Sequence, residues 1–277
     1  MKSKQILTLM LILTLLIAGM VPLFNACKNN DKPASNNENG DNNTPAPKNL
    51  GYSILSVYPH DTGSFTQGLA FYKGELYEGT GEYGRSKLQQ VDLKTGKILR
   101  QIPIPDKYFG EGITVLNDTI YQLTWKEKTV FAWSLKDFKK LKEFTINTEG
   151  WGITNDGKNL IVTDGGSNLY FYESSTFRLL RTLGVTDGGN LAFNLNEIEY
   201  ADGFIYANQW QYPYILKIDQ NTAQVVAKSD LTEVWNRVKA KDAASDVPNG
   251  IAYDTATKKM YVTGKRWPEL YEIQFSN

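Results

Sequence analysis

One pattern recurs five times in the 277 residues and limits the possible folds more than any other feature of the chain. A Gly is followed by an aliphatic residue, then Ala or Thr, then a short hairpin with an aromatic or aliphatic residue nine to eleven positions on. The pattern stands at Gly68-Leu69-Ala70 with Tyr77, Gly112-Ile113-Thr114 with Tyr121, Gly152-Ile153-Thr154 with Ile161, and Gly250-Ile251-Ala252 with Tyr261. The remaining copy, Glu197-Ile198-Glu199 with Tyr206, has lost the Gly. Successive copies start 44, 40, 45 and 53 residues apart. A period of this length, made of short alternating strands and Gly, Asp or Asn turns, marks propeller blades of four strands each.

Each copy continues into a third strand, such as residues 88–92 or 215–219. A polar turn and a fourth strand follow, such as residues 98–102 or 225–228. The last copy ends before a fourth strand, and residues 52–58 carry the missing pattern at the other end of the chain. The expected fold is therefore all-β: a five-bladed β-propeller over residues 50–277, closed by its N-terminal strand joining the last blade. Closure of this kind leaves no long strand edge open. Residues 230–247 interrupt the repeat and read as a helical insertion, with Asp230 or Thr232 as its N-cap.

The first 49 residues belong to export and tethering. Lys2 and Lys4 precede an apolar run over residues 6–23, which reads as a signal peptide over residues 1–26. Cys27 follows directly after Ala26 and resembles the lipid-modified Cys of a bacterial lipoprotein. Residues 27–49 are dominated by Asn, Asp, Pro and Lys, too polar to offset the entropy of ordering, and read as a disordered linker. The expected location is outside the cytoplasm, on a membrane by way of Cys27, facing the periplasm or the cell surface.

Several function classes are excluded. Thirty basic and thirty acidic residues leave no net charge to favour nucleic acid. A single Cys rules out a disulfide within the domain, and with a single His it rules out a Cys/His zinc centre. A Ser-His-Asp triad would rest on His60 alone, which stands at the closing strand and reads as structural. Acid–base chemistry falls to carboxylates, Lys or Tyr.

In a propeller the first strand of each blade lines the central channel, so residues at one repeat position form a ring. The residue before the Gly position is Gln67, Glu111, Trp151, Asn196 and Asn249. Four are polar, although unpaired buried polar groups cost ~1–3 kcal/mol each. A second ring follows the second strand, at Thr80-Gly81, Thr124-Trp125, Asp164-Gly165, Gln209-Trp210 and Gly264-Lys265. Together the rings bring a carboxylate, an ammonium, several amides and three Trp to one mouth, the make-up of a small-molecule pocket. Asp164-Gly165-Gly166-Ser167 reads as a tight turn, and Asp92 and Asp219 as turn residues.

These residues stand in a set of motifs: His60-Asp61 with Phe65-Thr66-Gln67-Gly68-Leu69, Phe109-Gly110-Glu111-Gly112-Ile113-Thr114, Leu123-Thr124-Trp125 and Glu149-Gly150-Trp151-Gly152. Asn196-Glu197-Ile198-Glu199, Ala207-Asn208-Gln209-Trp210, Asn249-Gly250-Ile251-Ala252 and Thr263-Gly264-Lys265-Arg266-Trp267-Pro268 complete it. The set resembles the plant-type glutaminyl cyclases and their bacterial relatives over residues 52–274. That resemblance implies cyclisation of N-terminal Gln of peptides or proteins to pyroglutamate, with release of ammonia. It implies catalytic roles for Glu111, Lys265 and Asn196, and substrate-binding roles for Phe65, Gln67, Trp125, Trp151 and Trp210. No cofactor is required, no metal ligand set is identifiable, and a structural calcium ion is compatible with the family. A monomer is expected. The insertion at 230–247 is expected to bear on access and not on the chemistry. Two other readings share the same mouth: a calcium-dependent lactonase-like hydrolase using Glu111, Asn196 and Asn249 as oxygen ligands, and a non-catalytic propeller that binds peptides or glycans.

Overall fold

The computed structural model describes residues 45–276; residues 1–44, with the expected export segment and Cys27, lie outside them. Five blades of four antiparallel strands follow one another along the chain, one of them with a short parallel strand added at its outer edge. Blade 1 runs Thr66–Tyr72, Glu75–Thr80, Lys87–Val91 and Ile98–Pro103. Blade 2 runs Gly110–Leu116, Thr119–Thr124, Thr129–Ser134 and Lys140–Thr145. Blade 3 is Ile153–Asn155, Asn159–Val162, Asn168–Glu173 and Leu179–Gly184. Blade 4 is Leu195–Ala201, Phe204–Gln209, Tyr214–Asp219 and Val225–Asp230. Blade 5 takes Pro248–Asp254, Lys259–Gly264 and Glu269–Phe275 from the C-terminal end. Its outer strand is Tyr52–Pro59, paired antiparallel from Tyr52 opposite Phe275 to Pro59 opposite Glu269. The ring closes as the repeat predicts.

Burial grades outward along each blade. The inner strand Gly110–Leu116 is buried at every residue, whereas the outer strand Lys140–Thr145 is almost wholly exposed. The inner strand is flanked by neighbouring blades on both faces, so its burial shows no alternation. The core is divided among the seams between blades. One cluster joins Ala70, Tyr77 and Leu88 to Ile113, Phe131 and Trp133 across blades 1 and 2. Another joins Leu69 and Leu76 to Ala252, Tyr261 and Leu270 across the closure between blades 1 and 5.

The recurring Gly is explained by how closely the inner strands meet. A Cβ at Gly68 would lie 2.3 Å from the backbone N of Ile113; one at Gly112, 2.7 Å from the carbonyl O of Trp151; one at Gly152, 2.2 Å from that of Asn196. Only a residue without a side chain fits there. Glu197, in the fourth copy, uses the space differently. Its carboxylate reaches across the channel to accept the N–H groups of Leu69 in blade 1 and Ile251 in blade 5, at 3.2 and 2.9 Å.

Two expectations from sequence are corrected. The linker does not run unstructured to residue 49: Lys48–Asn49 pairs in parallel with Val225–Asp230, and Leu50, buried, donates its N–H to the Lys228 carbonyl at 2.7 Å. One buried Leu and an open strand edge are enough to dock this otherwise polar stretch. The insertion does form a helix, Thr232–Lys241, which sends Val234 and Val238 into the seam between blades 4 and 5. Its cap position is Leu231, however, and Asp230 acts from one residue earlier by accepting the N–H of Thr232 at 2.8 Å.

Candidate active site

The inner hairpins share a device that aims side chains out of the ladder. Pairing slips between Thr66 and Gly68, between Gly110 and Ile113, between Leu195 and Ile198, and between Pro248 and Ile251. Each slip is a bulge at the first-ring position, and a bulge turns its residue away from the regular pleat. It delivers Gln67, Glu111 and Asn196 to the channel mouth. The second ring is placed by a repeated backbone bond. The carbonyls of Phe65, Phe109, Asn194 and Val247 accept the N–H groups of Gly81, Trp125, Trp210 and Lys265 at 2.8, 3.0, 2.8 and 3.1 Å.

All eight residues expected from sequence in the domain line one cavity of about 500 Å³: Phe65, Gln67, Glu111, Trp125, Trp151, Asn196, Trp210 and Lys265. Two residues not expected there, Phe109 and Asp246, complete the lining. Phe109 lies three residues before Gly112, as Phe65 lies before Gly68, so the repeat register could have revealed it. Asp246 lies in the insertion, outside the repeat, and places that segment, expected to bear on access, in the cavity lining itself. Asn249 does not line the cavity. Its Nδ2 donates to the Thr66 carbonyl and to Gln67 Oε1 at 3.0 and 3.1 Å, which leaves the Gln67 NH2 as a donor.

The cavity has a polar floor and aromatic walls. Gln67, Glu111, Asn196 and Lys265 are buried at the bottom. The walls form a belt of edge-to-face contacts, Phe65 to Phe109 at 6.2 Å, Phe109 to Trp125 at 5.5 Å, and Trp151 to Trp210 at 5.5 Å between ring centroids. Lys265 extends the belt with its Nζ 4.7 Å from the Phe65 ring centroid.

The floor is electrically unusual. Burial pushes the Glu111 carboxyl well above the ordinary Glu value; Lys265 pulls it down, and Glu149 and Glu127 push it further up. Burial lowers Lys265, against the pull of Glu111 and Asp246. Glu111 Oε2 and Asn196 Oδ1 are buried with no hydrogen-bond partner. Two such atoms aimed at one cavity cost stability unless a ligand donates to them. Nitrogen-bound hydrogens are the donors they suit.

The other residues weighed from sequence are structural. His60 is buried between the Trp267 carbonyl and Glu78, at 2.7 and 3.1 Å. Asp164 holds its own turn through the Gly166 N–H at 3.0 Å and receives the Tyr170 hydroxyl at 2.8 Å. Asp92 and Asp219 accept the backbone N–H groups of their turns. Among the described residues no three His, Cys, Asp or Glu side chains gather as a metal cluster.

The family model described as glutamine cyclotransferase matches residues 25–275. A glutaminyl-peptide cyclotransferase of Arabidopsis thaliana is 36% identical over 224 residues, 80% of this chain and 70% of the relative. The crystal structure of Myxococcus xanthus glutaminyl cyclase matches with a TM-score of 0.78 at 33% identity, over 83% of this chain and 98% of that one. With its five blades and a pocket built from equivalent positions of each, this chain belongs to the glutamine cyclotransferase family.

Proposed function

We propose that the pocket closes an N-terminal glutaminyl residue into pyroglutamate with release of ammonia, and that Glu111 moves the protons. The observation that carries this is the burial of Glu111, without a hydrogen-bond partner, beside Lys265 on the floor of an aromatic cavity. The neutral α-amine attacks Cδ of its own side-chain amide. A C–N bond forms, the amide C–N bond breaks, one proton leaves the attacking nitrogen and one reaches the departing nitrogen. The amine is readily neutral near pH 8, since its pKa is ~7.7–8.0.

A protonated carboxyl presents an O–H donor and a carbonyl acceptor together. Glu111, raised by its burial, gives its proton to the leaving nitrogen and takes one from the attacking nitrogen. The oxygen that becomes negative lies in reach of donors of the kind Lys265 and Gln67 supply; losing one such donor typically costs ~10²–10³ in rate. Asn196 Oδ1 suits the N–H of the amine or amide. The aromatic walls fold the glutaminyl chain toward its own amine and exclude water, which would otherwise yield glutamate.

Incubating the purified protein with a Gln-Ala peptide and following the loss of the mass of ammonia tests the reading directly. Glu111→Gln should slow turnover by ~100-fold or more with circular dichroism unchanged; retained activity removes Glu111 from the role. The scheme runs without a metal, so EDTA should leave the rate unchanged. Against the calcium reading, Trp151 interrupts the ring of oxygen donors and the Lys265 ammonium already acts on Glu111, although Asn249 Oδ1, like Glu111 Oε2 and Asn196 Oδ1, is buried with no hydrogen-bond partner. We further read the chain as an exported monomer held on a membrane by lipid at Cys27. Cys27→Ser should then move it from the membrane fraction to the soluble one.

A further inference from the structure

Two of the three Trp in the pocket wall share one partner outside the cavity lining. Trp125 follows the second strand of blade 2, and Trp151 precedes the first strand of blade 3. Both indole N–H groups point at the same atom, Oε2 of Glu149, at 2.7 and 3.1 Å. Glu149 lies on the connection between these blades, half-buried, three residues before Gly152. That is the repeat position held by Phe65 and Phe109 in blades 1 and 2. In blade 3 the position carries an acceptor in place of a wall.

An indole N–H only donates, so a wall of two indoles needs an acceptor behind it. A carboxylate oxygen forms charge-assisted bonds, roughly twice as strong as neutral ones. One oxygen serving two rings also ties their orientations to each other, across a boundary between blades. We propose that Glu149 is a positioning residue of this reaction, fixing Trp125 and Trp151 as one rigid wall for the glutaminyl chain. The inference rests on the cyclase reading for its kinetic consequences and on geometry alone for its structural ones.

Its charge has a second consequence. Glu111 is faced by Lys265 from blade 5, by Glu127 from the hairpin loop of blade 2, and by Glu149 from the link to blade 3. Glu149 and Glu127 both favour the protonated form of Glu111, against Lys265.

Two substitutions separate acceptor from charge. Glu149→Gln keeps a carbonyl oxygen for both indoles and removes the charge. It should hold KM within about threefold and shift the enzyme-borne limb of the kcat/KM pH profile to lower pH. Glu149→Ala removes both and should raise KM about tenfold or more, with kcat changing less. In a spectrum of the six indole N–H groups, Glu149→Ala should move the Trp125 and Trp151 resonances and leave the others in place. If Glu149→Ala does not fold, Glu149→Asp takes its part, since a carboxylate drawn back by one methylene cannot hold both rings. The proposal is overturned if the Ala or Asp variant keeps the parental KM and indole spectrum, or if Glu149→Gln is as impaired in KM as they are. A parent protein that cyclises nothing would instead remove the cyclase reading, while the indole spectrum would still decide the role of Glu149.

Discussion

Replacing Gly152 by Ala tests the link from repeat to pocket in a single methyl group. The new Cβ would lie 2.2 Å from the Asn196 carbonyl oxygen, and 2.9 Å from both Glu197 Cα and Thr163 Oγ1. The nearest atom is backbone and lies roughly 1 Å inside ordinary contact, so no side-chain rotation relieves it. The inner strands of blades 3 and 4 must separate. Overpacking of this kind costs typically 1–3 kcal/mol, and the backbone clash places the cost near ~3 kcal/mol. For a domain of this size each kcal/mol lowers the melting temperature by ~2–4 °C, so a fall of ~6–12 °C is expected by calorimetry. The displaced strand carries Asn196, whose shift by a sizeable part of 1 Å should cost ~10–100-fold in kcat/KM. Gly184→Ala is the control. There the nearest atoms are 3.8 Å away, and melting should stay within ~2 °C of the parent. If Gly152→Ala melts with the parent and turns over at its rate, the close approach of the blades is not the reason for the repeated Gly.

Other perturbations have equally definite outcomes. Trp210→Ala removes the ring in edge contact with Trp151 and should raise KM about tenfold without changing circular dichroism; unchanged kinetics would make this Trp a packing residue. Glu199, whose carboxylate accepts the Tyr253 N–H and the Thr154 hydroxyl at 3.0 Å each, is pushed up to about 8 by burial. Because the folded state holds this proton more tightly than the unfolded chain, stability is fully present below pH 4.5 and is lost as pH rises through about 8. Glu199→Gln should therefore gain stability over the parent at pH 9 by ~1–3 kcal/mol and not at pH 5. Denaturant melts whose difference is the same at both pH values would refute this. Lys265→Met should lower kcat by ~10²-fold while preserving the fold, and an unaltered kcat would move oxyanion stabilisation to Gln67.

Much of this was legible in the chain because a cyclic repeat converts sequence register into spatial coincidence. Gln67, Glu111 and Asn196 are far apart in sequence and adjacent in the pocket because each sits on the bulge of its own inner hairpin. The closing strand was legible for the same reason, as a fourth strand missing at one end and present at the other. What escaped lies where the repeat is broken or where its register was not followed far enough. Phe109 and Glu149 share the register of Phe65, yet one is a wall and the other the acceptor behind a wall. Asp246 belongs to an insertion with no counterpart in other blades, and its place by Lys265 depends on a backbone pairing of Asp246 N–H with the Lys265 carbonyl at 2.9 Å. Lys48 and Asn49 carry no apolar alternation, and only the open edge of blade 4 makes them a strand.

Glu197 and the girdle of glycines beneath the floor make the pocket a blind alley. Peptide arrives and both products depart through the same aromatic doorway. Traffic at that one doorway is thereby a candidate for the slow step of every cycle.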